Sequence, residues 1–134
     1  MLCEDRVVHT EPEGVESARN LLVGREISAV CFVRDYLELH LDGPIVRAVS
    51  NPYGVFGGRS WRFPEAGAPD VMLSYIGNTV DGFRFEADKC LSIDSGEHSF
   101  VIPLDDSSRT GPEAAHIVGV DENGRTDTKW MWIW

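Results

Sequence analysis

Long apolar runs are missing from this sequence, and no stretch approaches the roughly 18 apolar residues of a membrane-spanning helix. Positive charge is scarce as well: 12 Lys and Arg stand against 22 Asp and Glu, a formal charge of −10. A nucleic-acid binder neutralises phosphates with clustered Lys and Arg, and anionic membrane surfaces attract the same residues, so the balance argues against both partners. It favours a basic protein, whose encounter a field of this sign speeds. Cysteine is sparse: Cys3, Cys31 and Cys90 form an odd set without CxxC spacing, which points to reduced thiols. Cys31 and Cys90 fall in apolar strand patterns and are expected in the core. Cys3 lies beside Glu4 and Asp5, whose charge disfavours a thiolate. These two acids also stand where a secretory signal carries basic residues, and no apolar segment follows, so the expected location is the cytoplasm.

Catalytic and metal-binding signatures are equally thin. His9, His40, His98 and His116 are scattered without an HExxH pair or neighbouring cysteines, so no metal and no cofactor is expected. Gly54, Gly57, Gly58 and Arg59 lack the spacing of a phosphate-cradling loop, and no serine sits in a GxSxG elbow. Asp94-Ser95-Gly96 resembles the Asp-Ser/Thr-Gly tripeptide of retroviral-type aspartic proteases, but the same three residues are what a hairpin turn prefers.

What the chain does contain is one pattern written twice. Leu22-Val23-Gly24-Arg25-Glu26-Ile27 precedes Val30, Phe32, Asp35, Leu39, Leu41 and Asp42-Gly43. Tyr75-Ile76-Gly77-Asn78-Thr79-Val80 precedes Phe83, Phe85, Asp88, Leu91, Ile93 and Asp94-Ser95-Gly96. The offset is 53 residues (77 − 24), drops to 52 at Leu91 (91 − 39), and is restored by the extra Ser95 at the turn glycine (96 − 43). Before each glycine, Val15, Ala18, Leu21 and Leu22, or Val71, Met72, Tyr75 and Ile76, are spaced for a short helix that Gly24 or Gly77 caps. After it, apolar steps of three and then two suggest a bulged strand near Ser28-Ala29 and Asp81-Gly82. Alternating strands follow, each ending in an Asp/Gly turn into a third strand at 45–50 or 99–104.

The expected fold is therefore α+β and mainly β: one domain over 1–134 with two pseudo-repeats of short helix plus three-stranded antiparallel meander, forming a sandwich or partly open barrel. One continuous curved sheet is the alternative. Repeat one spans about 15–50 and repeat two about 69–104, with a connecting loop at 51–68 and a C-terminal extension at 105–134. At 134 residues such a domain buries roughly 65–70% of its unfolded surface and needs no disulfide.

Two places are candidate surfaces. The connecting loop holds Tyr53, Phe56, Trp61 and Phe63 with Arg59 as nearby cation, either lining a binding patch or folding back as a satellite core. The ending Lys129-Trp130-Met131-Trp132-Ile133-Trp134 would be apolar on both faces of a strand, so Trp130, Trp132 and Trp134 are either buried in the fold or a homodimer contact.

The capped glycine, bulged strand, Leu-x-Leu-x-Asp-Gly hairpin and third strand, over roughly Val15 to Leu104, resemble small bacterial domains of unknown function. The acidic composition is similar to that of immunity proteins that neutralise basic toxins. This resemblance implies a non-catalytic protein-binding module with a basic partner. A small-ligand binder or enzyme with a pocket between the repeats, and a structural homodimer, are the alternatives.

Overall fold

Gly24 and Gly77 take φ of 95° and 94°, left-handed values that let the chain leave a helix without a Cβ clash. Gly24 stands two residues beyond α1 (Pro12–Leu22), whereas α2 (Ala68–Leu73) ends with Ser74 as its C-cap, so Gly77 closes the turn after the helix instead of capping it. The computed structural model describes residues 7–8 and 12–134; Cys3 and His9 lie outside the described residues. Immediately after the two helices the chain segments pair with each other. The Gly24 N–H donates to Val80 O (2.7 Å) and the Gly77 N–H to Ile27 O (2.8 Å). The Ile27 N–H donates to Asn78 O (2.9 Å) and the Val80 N–H to Arg25 O (2.8 Å), around a bridge between Glu26 and Thr79. Each bond thus has a reciprocal one at an offset of 53 residues (77 − 24, 80 − 27, 78 − 25).

From this crossing the chain runs into two meanders: β2 (Ala29–Val33), β3 (Tyr36–His40) and β4 (Ile45–Ala48), then β7 (Gly82–Glu86), β8 (Cys90–Ser95) and β9 (His98–Pro103). The apolar step of three marks this passage from crossing to strand, where the Ser28 and Asp81 N–H groups bond His40 O and Asp94 O; it is not a bulge. The register shift in the structure falls at Val118/Gly119 instead.

The expected connecting loop and C-terminal extension contain hairpins. β5 (Tyr53–Phe56) and β6 (Arg59–Arg62) join through Gly57-Gly58, both at positive φ (60° and 77°), as a tight two-residue hairpin turn requires. β10 (Ala115–Val120) and β11 (Thr126–Ile133) follow a 3₁₀ turn at Asp106–Ser108. Each hairpin crosses over: β5 pairs with β9, and β10 pairs with β4. The result is two sheets, ordered β1-β11-β10-β4-β3-β2, with β1 at Val7–Val8, and β6-β5-β9-β8-β7. All pairings are antiparallel except β1 with β11. The described structure is 45% strand and 15% helix, and its sheets neither close into a barrel nor merge into one.

One apolar cluster joins the inward rows of both sheets, Leu37, Leu39 and Val46 with Leu91, Ile93 and Phe100, to Ala18 and Leu22 of α1 and Val71 and Met72 of α2. Trp132 belongs to it, 5% exposed, with its indole N–H on Gly14 O (2.7 Å). Trp134 is half-buried against Phe85, ring centroids 5.6 Å apart, whereas Trp130 is 44% exposed. The three indoles therefore differ in burial, with Trp130 and Trp132 both beside Gly119, and β11 lies inside its sheet between β10 and β1. Cys31 and Cys90 are half-buried free thiols on the outward parity, one residue out of step with the core rows, which corrects the core placement. Burial, together with the Glu86 carboxylate, pushes the Cys90 thiol pKa up and keeps it protonated.

Candidate functional site

The aromatic residues of the expected loop are divided between the two faces of the β5–β6 hairpin. Tyr53 faces outward, with the Arg62 guanidinium 5.1 Å over its ring. Phe56 stacks on His98 (3.9 Å) and packs on Tyr75 (4.9 Å). Trp61 is buried, its indole N–H donating to the Tyr75 hydroxyl (2.8 Å), which in turn reaches Ser99 O (2.7 Å). Burial, only partly offset by the Trp61 hydrogen bond, pushes the Tyr75 pKa up to about 12. Phe63 stacks on Phe32 at 6.1 Å, and Arg59 is exposed. Period-two alternation sets Tyr53 on the face opposite Phe56, Arg59 and Trp61, which share one parity, and within that face Trp61 is buried while Arg59 is exposed.

A polar chain that sequence reasoning missed crosses the outward face of the other sheet. Register places Cys31, Glu38, Arg47, His116 and Ile133 in one row across five strands. Glu38 accepts from Arg47 Nε (2.9 Å) and bonds His40 Nε2 (3.0 Å). Arg47 Nη1 bonds His116 Nδ1 (3.1 Å), and His116 Nε2 bonds Glu113 Oε1 (2.7 Å). A guanidinium only donates, so Nδ1 of His116 is the acceptor and its proton sits on Nε2. Arg47 also covers the Tyr36 ring at 4.9 Å. Tyr36, Glu38 and His40 alternate visibly with the leucines of β3, but their partners on β4 and β10 depend on a non-local register that no local pattern carries.

Burial would raise the Glu38 pKa, but the hydrogen bonds from His40 and Arg47 outweigh it and hold the carboxyl below its usual 4.5. A depressed pKa contributes stability above the unfolded value, which is lost as pH falls through the folded one. Glu38→Gln is expected to cost about 1–2 kcal/mol at neutral pH. In thermal unfolding the gap from wild type should close as pH drops below 4.5; a gap that persists there would show that the charge is not its source.

The crossing also gathers acids. Ser28 ties it to the β3–β4 turn, its hydroxyl accepting the Asp42 N–H (3.3 Å). Asp81 ties it to the β8–β9 turn, accepting the Gly96 N–H (2.7 Å), and the Ser95 hydroxyl reaches Thr79 O (2.7 Å). Glu26, Asp42, Asp81 and Glu97 are all exposed here. Nearby Arg25 turns back to Leu21 O (2.7 Å). The Asp94 carboxylate is occupied by Arg84 (2.8 and 3.2 Å) and the Ser92 hydroxyl (2.7 Å), a structural role within the hairpin.

No family model, curated protein or solved structure matches this chain. Its own geometry is the basis for any functional reading. Among the described residues, Glu16, Glu38, Asp94 and Glu113 are the acids in ion pairs, and no group of three or more His, Cys, Asp or Glu is placed to hold a metal. No described helix is long and apolar enough to cross a membrane.

Proposed function

We propose that this is a non-catalytic, immunity-like binding module for a basic protein, acting in the bacterial cytoplasm. The observation that carries the reading is the set of exposed carboxylates on the paired segments and turns, Glu26, Asp42, Asp81 and Glu97, which have no cationic partner among the described residues, in a chain of net charge −10. Such a concentration of unneutralised charge favours encounter with a cationic surface and weakens with ionic strength.

Affinity capture from native cell extract at low salt, with stepwise salt elution, tests this. A basic protein should be retained and released by moderate salt. Replacing Glu26 and Glu97 with Gln and Asp42 with Asn, which tolerates the positive φ there, should weaken retention about tenfold. Unchanged retention and an unchanged salt profile would overturn the reading.

The same proposal takes the chain as an internal duplication. Support comes from the reciprocal bonds at constant offset and from the sheet registers. Leu39 lies opposite Val30, and Ile93 opposite Phe83, which makes Ile93 rather than Leu91 the counterpart of Leu39. The β2–β3 turn has two residues, Arg34-Asp35, and the β7–β8 turn three, Ala87-Asp88-Lys89, so the offset rises from 53 (83 − 30) to 54 (93 − 39) across the turn instead of falling to 52. In this reading the crossed hairpins are counterparts too, each laid on the last meander strand of the other half.

A further inference from the structure

A pocket of about 490 Å³ opens where the end of the β2–β3 hairpin meets the start of the β5–β6 hairpin. Ala48 and Phe63 contribute to its apolar side, and Arg34, Asp35, Asn51 and Thr110 supply its polar groups. None of these four polar side chains has a hydrogen-bond or ion-pair partner among the described residues. A cation, an anion, an amide and a hydroxyl therefore line one opening, all free to engage a ligand.

The second sheet shows what the same place looks like when filled. Ala48 lies opposite Leu37; at the matching register, opposite Leu91, stands Ile102, fully buried. Phe63 stacks on Phe32, and the matching ring contact on Phe85 is made, at a tilt of 39°, by the larger Trp134. The turn there is one residue longer, and its Lys89 O accepts the Leu104 N–H (2.8 Å), fastening the turn to the strand end. At each of these three points the first sheet carries the smaller element, and the pocket occupies the difference.

From this we infer that the pocket binds a small zwitterion with an apolar body, of the free amino-acid type. The apolar body enters beside Phe63 over Ala48, the carboxylate faces Arg34 and the ammonium faces Asp35. Asn51 and Thr110 complete the hydrogen bonding of the head group. A simple cation would leave Arg34 unanswered and a simple anion Asp35; a zwitterion engages both. The inference is independent of the basic-partner reading, because Glu26, Asp42 and Glu97 do not line this pocket.

Amide-resolved NMR titration of the full chain with L-phenylalanine, phenethylamine and 3-phenylpropionate separates the possibilities, since the three probes share a ring and differ in charge. Phenylalanine is expected to bind in about the millimolar range, with shifts centred on residues 33–37, 48–52 and 63. Each singly charged probe should bind about three- to fivefold more weakly. Arg34→Gln should reduce phenylalanine to the level of phenethylamine. Phe63→Trp and Ala48→Ile, which install the second sheet's residues, should abolish binding; where Ala48→Ile disturbs folding, Phe63→Trp and Arg34→Gln still decide. Absence of shifts at the lining, equal binding of a singly charged probe, or binding that survives Phe63→Trp would overturn the inference.

Discussion

Gly54→Ala is expected to destabilise the protein by about 3 kcal/mol or more, a large share of the roughly 5–15 kcal/mol that holds a domain of this size folded. Gly54 is not at positive φ, so the reason is space alone. A Cβ at this position would run into the Ser99 carbonyl oxygen and lie 2.9 Å from Cζ2 of Trp61. Neither neighbour yields cheaply. Ser99 is paired with Val55 in the sheet, and its carbonyl also accepts the Tyr75 hydroxyl; the Trp61 ring is packed on Phe100 at 5.5 Å. Moving β9 away would loosen the junction through which the β5–β6 hairpin joins its sheet. Urea unfolding would show a lower midpoint with the slope retained. The control is Gly57→Asn, at a turn position with open space and a φ of 60° that asparagine tolerates, which should stay within about 1 kcal/mol of wild type. Equal effects at the two positions would refute the steric argument.

Tyr75→Phe should cost about 1–3 kcal/mol, although it removes a single oxygen. The Tyr75 side chain is 1% exposed, and its hydroxyl accepts from Trp61 Nε1 while donating to Ser99 O. Phenylalanine keeps the packing against Phe56, Trp61 and Phe100 but strands a buried indole N–H. The pH dependence supplies a second readout. A folded pKa raised from the usual 10.0 to about 12 means that the protonated phenol contributes stability in full below 10.0. That contribution is lost as pH rises through about 12. The alkaline fall in stability should therefore be shallower in Tyr75→Phe than in wild type. An equally steep fall in both would mean that other groups govern it.

The local elements were legible because their signals are local. Gly24 closes the end of α1, Gly77 turns the chain at positive φ, Leu37-x-Leu39-x-Leu41 alternates, and Asp42-Gly43 turns, each for reasons contained within a few residues. The hairpin over Tyr53–Arg62 looks like a loop in the sequence because its three glycines and flanking prolines resemble linker chemistry, although Gly57-Gly58 is also what a two-residue turn demands. The ending was legible as a strand, but which indoles it buries depends on the register shift opposite Gly119. A Cβ there would lie 2.8 Å from Cβ of Trp130. Of the candidate site, acidity was plain in the composition, whereas the placement of Glu26, Asp42, Asp81 and Glu97 on one crossing and its adjoining turns arises only when segments 53 residues apart hydrogen-bond. The Glu38–Arg47–His116 row and the pocket beside Phe63 likewise require the crossed hairpins, and sequence periodicity contains no information about which sheet a hairpin will join.

The crossing of those hairpins also shapes how the chain reaches its native state. Val46 has Leu39 on one side from its own meander, but its other neighbour is Ile117, and Gly54 must wait for Phe100. Until β10 arrives during synthesis, the far side of β4 is an open row of amides and carbonyls, a template for any strand with the right pattern. Because so much of the pairing is long-range, folding should be slow for a chain of this length. A second nascent copy carries the very hairpin that β4 lacks, so hairpin exchange between chains is the hazard that this topology brings to crowded synthesis or rapid refolding at high concentration.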